Sequence, residues 1–369
     1  MQFPSSHAAQ AGRFSLPLHG LRGIAVLFVL FSHLGNAGMS LLPIPHDAIG
    51  KVGVWIFFSL SAFLLTRGLC QALARQGGWG RPLIGYGIHR VMRIYPLYVV
   101  VLLLHWLLGE ITASSIGRHL LLQEGNAELW AIPVEFKYYL IVPLVALAVQ
   151  HVPRHQVSMA LLAVVLVSFG YGVADPRSVF SIELDLLPKL APFLLGSLLA
   201  LHVDGLQQVS ARQAGDGWSR WLAGLLSTPG QILLWAFCLI STVLFRTMIK
   251  GLLPYGLAPL FDLMIACSAT GLILVCLQAT WTAALLRNRV LVFFGEISFG
   301  IYLLHMFVVH AMARWGASLP NGAQAWLVVA LCLPLAYLSW RFIERPGIQA
   351  GKQFDGWLQG LTRRRHAFS

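Results

Sequence analysis

Leu18-His19-Gly20-Leu21-Arg22-Gly23-Ile24-Ala25-Val26-Leu27-Phe28-Val29-Leu30-Phe31-Ser32-His33-Leu34 is an apolar run interrupted by one arginine and one histidine. Its length fits the roughly 20 residues that carry an α-helix across hydrocarbon. Polar residues and Arg13 precede it, Arg22 lies inside it, and no small-residue cleavage site is seen. It therefore reads as a first membrane span and not as a removable signal peptide. Further runs of the same kind cover 50–70, 92–109, 129–149, 157–173, 184–202, 231–249, 256–278, 290–313 and 324–343, which predicts an all-α integral membrane protein of about ten transmembrane helices.

Composition agrees. The chain has 369 residues, 57% hydrophobic and 11% charged, with mean hydropathy +0.72, whereas a soluble domain carries about a quarter charged residues. A net charge of +12 raises the question of nucleic acid. In so apolar a chain it is expected instead from basic cytoplasmic loops, and no nucleic-acid partner is assigned. Cys70, Cys238, Cys267, Cys276 and Cys332 are odd in number, lack CxxC spacing and sit in or beside apolar runs. They read as small hydrophobes, and no metal is assigned.

Lysine and arginine set the orientation. The connection between the second and third runs holds Arg67, Arg75, Arg81 and Arg90, with Arg93 just beyond, while the next holds Arg118 against Glu110, Glu124 and Glu128. The first is assigned to the cytoplasm and the second to the outside, so both termini are cytoplasmic in an inner (plasma) membrane, multi-pass protein. The expected divisions are a cytoplasmic N-terminal segment 1–17, a ten-helix membrane domain 18–346 and a basic cytoplasmic tail 347–369. The connection 203–230, with Gly215, Asp216, Gly217 and Ser219, reads as a flexible loop. Gly77, Gly78 and Gly80 lack the Lys and Ser/Thr of a phosphate-binding loop and read as a turn. Arg363, Arg364 and Arg365 would attract anionic membrane lipid.

Ionisable groups inside spans are costly and mark candidate function. Arg22 and His33 are eleven residues apart, three turns plus about 20°, so they share one helix face about 16 Å apart. That is close to the length of a pantetheine arm: with Arg22 on the phosphates of a coenzyme A thioester, His33 lies where the carbonyl arrives. Singly, Arg22 also fits a snorkelling anchor and His33 a hydrogen-bonded core histidine. Arg90 and Arg93, three apart, share a helix side and can grip phosphate oxygens; a positive-inside anchor pair has the same spacing. Ser298, Tyr302 and His305 form a polar stripe on an apolar helix. Glu135 and Lys137 do not face each other, so Glu135 needs a partner from another helix. Asp262 lies inside a span, and Glu183, Asp185 and Lys189 lie near or within one.

These segments resemble the acyltransferase 3 family of polytopic membrane acyltransferases that modify bacterial surface saccharides. The likeness runs from Leu18 to Pro346 through landmarks in order: Leu18 to His33, Gly53-Val54-Trp55-Ile56-Phe57-Phe58-Ser59-Leu60-Ser61-Ala62-Phe63, Arg90 to Pro96, Leu129 to Pro143, Ile297 to His305 and Ile343-Glu344-Arg345-Pro346. The resemblance implies ten core helices and transfer of an acyl group from cytoplasmic acyl-CoA to an acceptor at the outer face. It matches the family's Arg and His, eleven apart, to Arg22 and His33, and its Arg-x-x-Arg motif to Arg90 and Arg93. His19 and Ala62 depart from the pattern, where Asp and Gly are common. Some members carry a periplasmic hydrolase-like domain after the core, and none is expected here.

The expectation is a membrane O-acyltransferase, foremost an O-acetyltransferase using acetyl-CoA as co-substrate, acting on a hydroxyl of a lipid-linked or exported saccharide. His33 is expected to act as general base or to carry the acyl group itself. Arg22 would hold the donor or orient the site, Arg90 and Arg93 would bind its phosphates, Glu135 or Asp262 would fix a histidine tautomer, and Tyr302 and His305 would polarise the thioester carbonyl. A proton-coupled transporter would use the same buried charges, with broken helices at Pro133 and Pro188. A small-molecule or peptide acceptor would alter only the last step. In coordinates, His33 should lie within hydrogen-bond or one-water reach of Glu135, Asp262 or His305, in a cavity open toward Arg22, Arg90 and Arg93.

Overall fold

The computed structural model describes residues 6–39, 49–76, 78–212, 217–316 and 318–367, and every regular element among them is helical. The helices are α1 (Ser6–Asn36), α2 (Gly50–Gln76), α3 (Gly80–Leu107), α4 (Ala113–Leu120), α5 (Ala131–His151), α6 (Arg154–Ala174), α7 (Leu190–Arg212), α8 (Gly217–Leu226), α9 (Thr228–Ile249), α10 (Ala258–Cys276), α11 (Trp281–Leu286), α12 (Arg289–Glu296), α13 (Ser298–Trp315), α14 (Asn321–Ser339) and α15 (Arg345–Ala367). Among the described residues nine helices are long and apolar enough to cross a membrane, or ten when the bent pair α12 and α13 counts as one span.

Helix α2 is the hub of the bundle, packed against α1, α5, α7 and α10. Small residues permit this: a Cβ on Gly53 would lie 2.3 Å from the Ala25 carbonyl oxygen, and one on Gly196 equally close to that of Ser59. Between helices in lipid, association rests on such close backbone approach and on packing, since burial against a neighbour gains little over burial against acyl chains. Helix α1 is clamped on its other side by α12, where Gly295 abuts the His19 carbonyl oxygen and Gly23 that of Leu291. Side chains at these positions would push α1 off its track and displace Arg22 and His33 together.

Several sequence expectations need correction. The run 290–313 is not one straight span: α12 and α13 meet at 71°. The break falls at Ile297, where Ser298 Oγ donates to the Gly295 carbonyl and Gly295 is held against α1. The third span begins at Gly80, so Arg90 and Arg93 lie well inside a helix, not at its mouth. The connection 203–230 is largely helical, being the end of α7 and the whole of α8. After the last span the chain stays helical, as α14 passes through a π-helical turn, Trp340–Glu344, into α15. The wider turn accommodates Pro346, which lacks an N–H and whose ring crowds the carbonyl four residues back. α15 then lies against α3, with Gly347 over the Met92 carbonyl. Three cysteines are buried, but Cys267 is exposed on the bundle surface and Cys70 is half-buried.

The bundle has a basic end, marked by the turn between α2 and α3, and an opposite end that carries His33, the start of α2 and the helix α4. At the latter, Glu124 accepts from Ser115 Oγ, Arg118 Nε and Asn126 Nδ2. These bonds hold its carboxyl down at about 2, so this network is complete above the ordinary carboxylate range and lost only as the pH falls toward 2. The expectation that the basic end faces the cytoplasm is tested at Gly78, which is exposed. A single cysteine there should label only after the membrane is permeabilised; labelling of intact cells would reverse the orientation.

Candidate active site

Helices α1 and α13 bring the two histidines together. His305 Nε2 is 3.0 Å from His33 Nδ1, so the expected contact of His33 with a second polar group is present, through His305. Around His305, Nδ1 faces the carbonyl oxygens of Tyr302 at 2.7 Å and Ile301 at 3.1 Å. A carbonyl only accepts, so Nδ1 carries the proton and Nε2 of the neutral ring carries the lone pair. His33 Nδ1–H is then shared between His305 Nε2 and the Val29 carbonyl at 2.9 Å. The lone pair of His33 is thereby placed on Nε2. His305 is fully buried and His33 half-buried. His305 thus meets His33 with both its ring nitrogens engaged, one by backbone carbonyls of α13 and one by His33 Nδ1.

Below the histidines lies a cavity of about 300 Å³ between α1, α2, α3, α5 and α13, lined by Arg22, Ser61, Arg90, Arg93, Glu135, Tyr139 and Tyr302 among others. Neither His33 nor His305 is on its lining. A run of ring contacts connects them: the Arg22 guanidinium lies 6.0 Å from the Phe57 ring centre, Phe57 6.4 Å from Tyr302, and Tyr302 6.1 Å from His305. Tyr302 is therefore the partition between cavity and histidine pair. Its hydroxyl donates to the Glu128 carbonyl at 2.7 Å, so in this arrangement its proton is engaged there.

Three arginines and Glu135 share the cavity, and Glu344 of the π turn faces Arg22 and Arg93 from beside it. Three positive charges against two negative ones leave an excess suited to phosphate. Arg90 Nε is buried without a hydrogen-bond partner, a donor that a phosphate oxygen would satisfy. An adjoining cavity of similar size shares Leu64, Leu65 and Arg90 and continues toward Arg81, His89 and Asp355. His89 Nε2 is likewise buried without a hydrogen-bond partner, 3.9 Å from Asp355 Oδ2.

Two expected tautomer-fixing residues do not touch the histidines. Glu135 accepts from Ser61 Oγ at 2.5 Å, which answers its need for a partner on another helix. Asp262 is elsewhere, accepting from Trp55 Nε1 at 2.5 Å near the start of α2. There the ammonium of Lys51 lies among Trp55, Trp130 and Phe180, 5.3 to 5.9 Å from the ring centres. The second turn of α10 points Asp262 at α2, so the shared level inferred by counting residues does not bring it to α1. Lys189 is fully buried and donates to the carbonyls of Glu183 and Asp185 at 2.9 and 3.1 Å, whose own residues are exposed. Sequence reasoning missed the parts played by Ser61, Phe57, Glu344 and Tyr139. All four lie inside quoted landmarks, but nothing in their spacing shows which face they present.

The family described as an acyltransferase domain, acyltransferase 3, matches residues 17–341. A Staphylococcus aureus (strain MSSA476) protein named "Putative O-acetyltransferase" is 24% identical over 94% of this chain and 59% of its own length. A Shigella phage Sf6 protein named "O-acetyl transferase" is 26% identical over 49% of this chain and 61% of its own. The chain thus spans less than two thirds of these relatives. No solved structure matches it.

Proposed function

Because the chain belongs to the acyltransferase 3 family, we propose that it is a membrane O-acyltransferase, foremost an O-acetyltransferase, which moves the acyl group of acyl-CoA from the cytoplasmic face of the inner membrane to a hydroxyl at the outer face. The observation that carries this reading is the oriented His33–His305 pair set one tyrosine beyond a cavity furnished with three arginines. Arg90 and Arg93, with Arg22, hold the donor's phosphates, and Arg81 and His89 in the adjoining cavity hold its distal end. The pantetheine arm runs along α1, where eleven residues of helix span about 16 Å. The thioester arrives at the Tyr302 partition, whose ring turns aside to admit it.

In the transfer, His33 Nε2 takes the proton of the acceptor hydroxyl as its oxygen bonds to the thioester carbonyl carbon. The carbon–sulfur bond then breaks, and the departing thiolate recovers that proton from Nε2, leaving an ester and free CoA thiol. A covalent acyl-histidine would use the same lone pair, and rapid-quench trapping of labelled protein separates the two routes. His305→Ala should lower kcat by about 10-fold to 10³-fold, a part of the 10² to 10⁴ that general base catalysis supplies, with donor affinity unchanged. His305→Gln, whose amide oxygen accepts from His33 Nδ1–H, should restore part of it. Equal loss in both variants would make His305 a packing residue only.

The acceptor proposed is a lipid-linked or exported saccharide, in keeping with the family. It is tested by mass spectrometry of surface glycans from cells with the protein, without it, and with His33→Ala. An acyl mass increment present only with the unaltered protein supports the reading. An increment retained with His33→Ala, or none in any strain, contradicts it. A proton-coupled transporter would leave the orphan Arg90 donor without a purpose, and acyl-CoA binding by the purified protein separates the two classes.

A further inference from the structure

Five residues above His305 on α13, at the end of the bundle opposite the arginines, His310 joins His105 of α3 and Glu110 of the turn after it. His310 Nδ1 is 2.9 Å from Glu110 Oε1, and His105 Nδ1 contacts Glu110 Oε2. One ligand atom from each residue can be chosen so that all three lie within 4.8 Å of one another. The turn is built for this meeting: Gly109 adopts φ +75°, the Gly109 and Glu110 N–H groups return to the carbonyls of Trp106 and His105, and Glu110 folds back onto the histidine five residues before it. Arg314 donates to the Leu108 carbonyl at 3.2 Å and ties the end of α13 to the same turn. A second, independent observation stands behind His105. Glu128 has a fully buried side chain with neither carboxylate oxygen hydrogen-bonded, and its Oε1 lies 3.4 Å from His105 Nε2. A buried carboxylate without a hydrogen bond is expensive, and a histidine bound to metal through Nδ1 presents its Nε2–H to such a group.

We propose that His105, Glu110 and His310 bind a divalent transition-metal ion of the zinc class, with Glu128 as the carboxylate that orients His105. Two imidazoles and a carboxylate are a ligand set of zinc type, with the fourth tetrahedral position left to water. Tetrahedral ligands at about 2.0–2.1 Å stand roughly 3.3 Å apart, a spacing the partly exposed Glu110 and His310 reach by side-chain rotation. The charges also close, since one divalent cation balances Glu110 and Glu128. The sequence reading weighed a metal only at the cysteines, and these three ligands come from two distant segments without a ligand spacing. Bound metal would fasten α3 to α13 and fix Glu128, whose backbone carbonyl receives the Tyr302 hydroxyl; the ion thereby steadies the partition beneath His305 and takes no part in bond making.

The test uses full-length protein in detergent, purified through a tag that contains no histidine, and reads metal content and Co²⁺ absorption rather than acyl transfer. Zinc should be present at one ion per chain and replaceable by Co²⁺ with tetrahedral d–d bands. His310→Ala and Glu110→Gln, at partly exposed positions whose loss leaves the packing intact by monodisperse elution, should each abolish stoichiometric binding. Glu128→Gln should weaken it about 10- to 100-fold, and His33→Ala should retain it. Absence of stoichiometric zinc together with no Co²⁺ spectrum overturns the proposal, leaving a hydrogen-bonded cluster only. Retention of the ion by both His310→Ala and Glu110→Gln equally overturns it, placing the metal elsewhere.

Discussion

His33→Ala should reduce kcat by about 10³-fold or more, since general base catalysis supplies about 10² to 10⁴ and a nucleophilic role would cost the whole reaction. The structure separates this loss from unfolding. His33 is half-buried near the end of α1, and its two polar contacts are with a carbonyl of its own helix and with His305. Alanine propagates the helix well and leaves His305 bonded to the carbonyls of Ile301 and Tyr302. Donor affinity should be unchanged, because the proposed phosphate site lies three helical turns away. A variant that is monodisperse, binds acyl-CoA as the unaltered protein does and turns over at the same rate would remove His33 from the chemistry.

The opposite pattern is expected at the far end of the cavity. Arg90→Ala and Arg93→Ala should each raise the donor's Kd by about 10- to 150-fold, since a hydrogen bond to a charged group is worth about 1.5–3 kcal/mol. At saturating donor, kcat should stay close to that of the unaltered protein. The reason is geometric: the arginines sit ten residues and more inside α3, on the same cavity as Arg22, and act on the part of the donor that does not change during transfer. Arg→Lys at either site should recover only part of the affinity, because a point charge does not reproduce the forked guanidinium. If both alanine variants bind acyl-CoA normally, the pair is a membrane-interface anchor and the donor's path lies elsewhere.

The spans were legible in the sequence because hydrocarbon imposes length and apolarity on each segment separately. What was not legible was set by contacts between segments. The bend at Ile297 lies beside Gly295, which meets the backbone of α1, and the polar interruption at Glu296 and Ser298 gives no angle. Pro346 reads as a stop, yet the π turn before it lets the helix continue onto α3. The site was half legible. A face shared by Arg22 and His33 follows from helical periodicity alone, and His305 was found because a histidine on an apolar helix must meet something polar. Asp262 was misplaced for the same reason: counting residues gives a height along the bundle but no direction around it, and its partner is Trp55. The hydrogen bonds that engage Tyr302 and His305, to the Glu128 carbonyl and along α13, were not legible in the sequence.

The account turns on a single path from the arginine cavity past Tyr302 to His33, and one measurement follows it directly without knowledge of the acceptor. An acyl-CoA analogue bearing a small photoreactive group on the acyl carbon chain is bound to the full-length protein, irradiated, and the modified residues are identified by mass spectrometry. Modification concentrated on α1 and α13 within about one helical turn, some 5.4 Å, of His33 and His305, competed by CoA and lost with the Arg90→Ala, Arg93→Ala double variant, is the expected result. Saturable labelling confined to residues outside that neighbourhood, or labelling indifferent to the double variant, would contradict the path and the mechanism built on it.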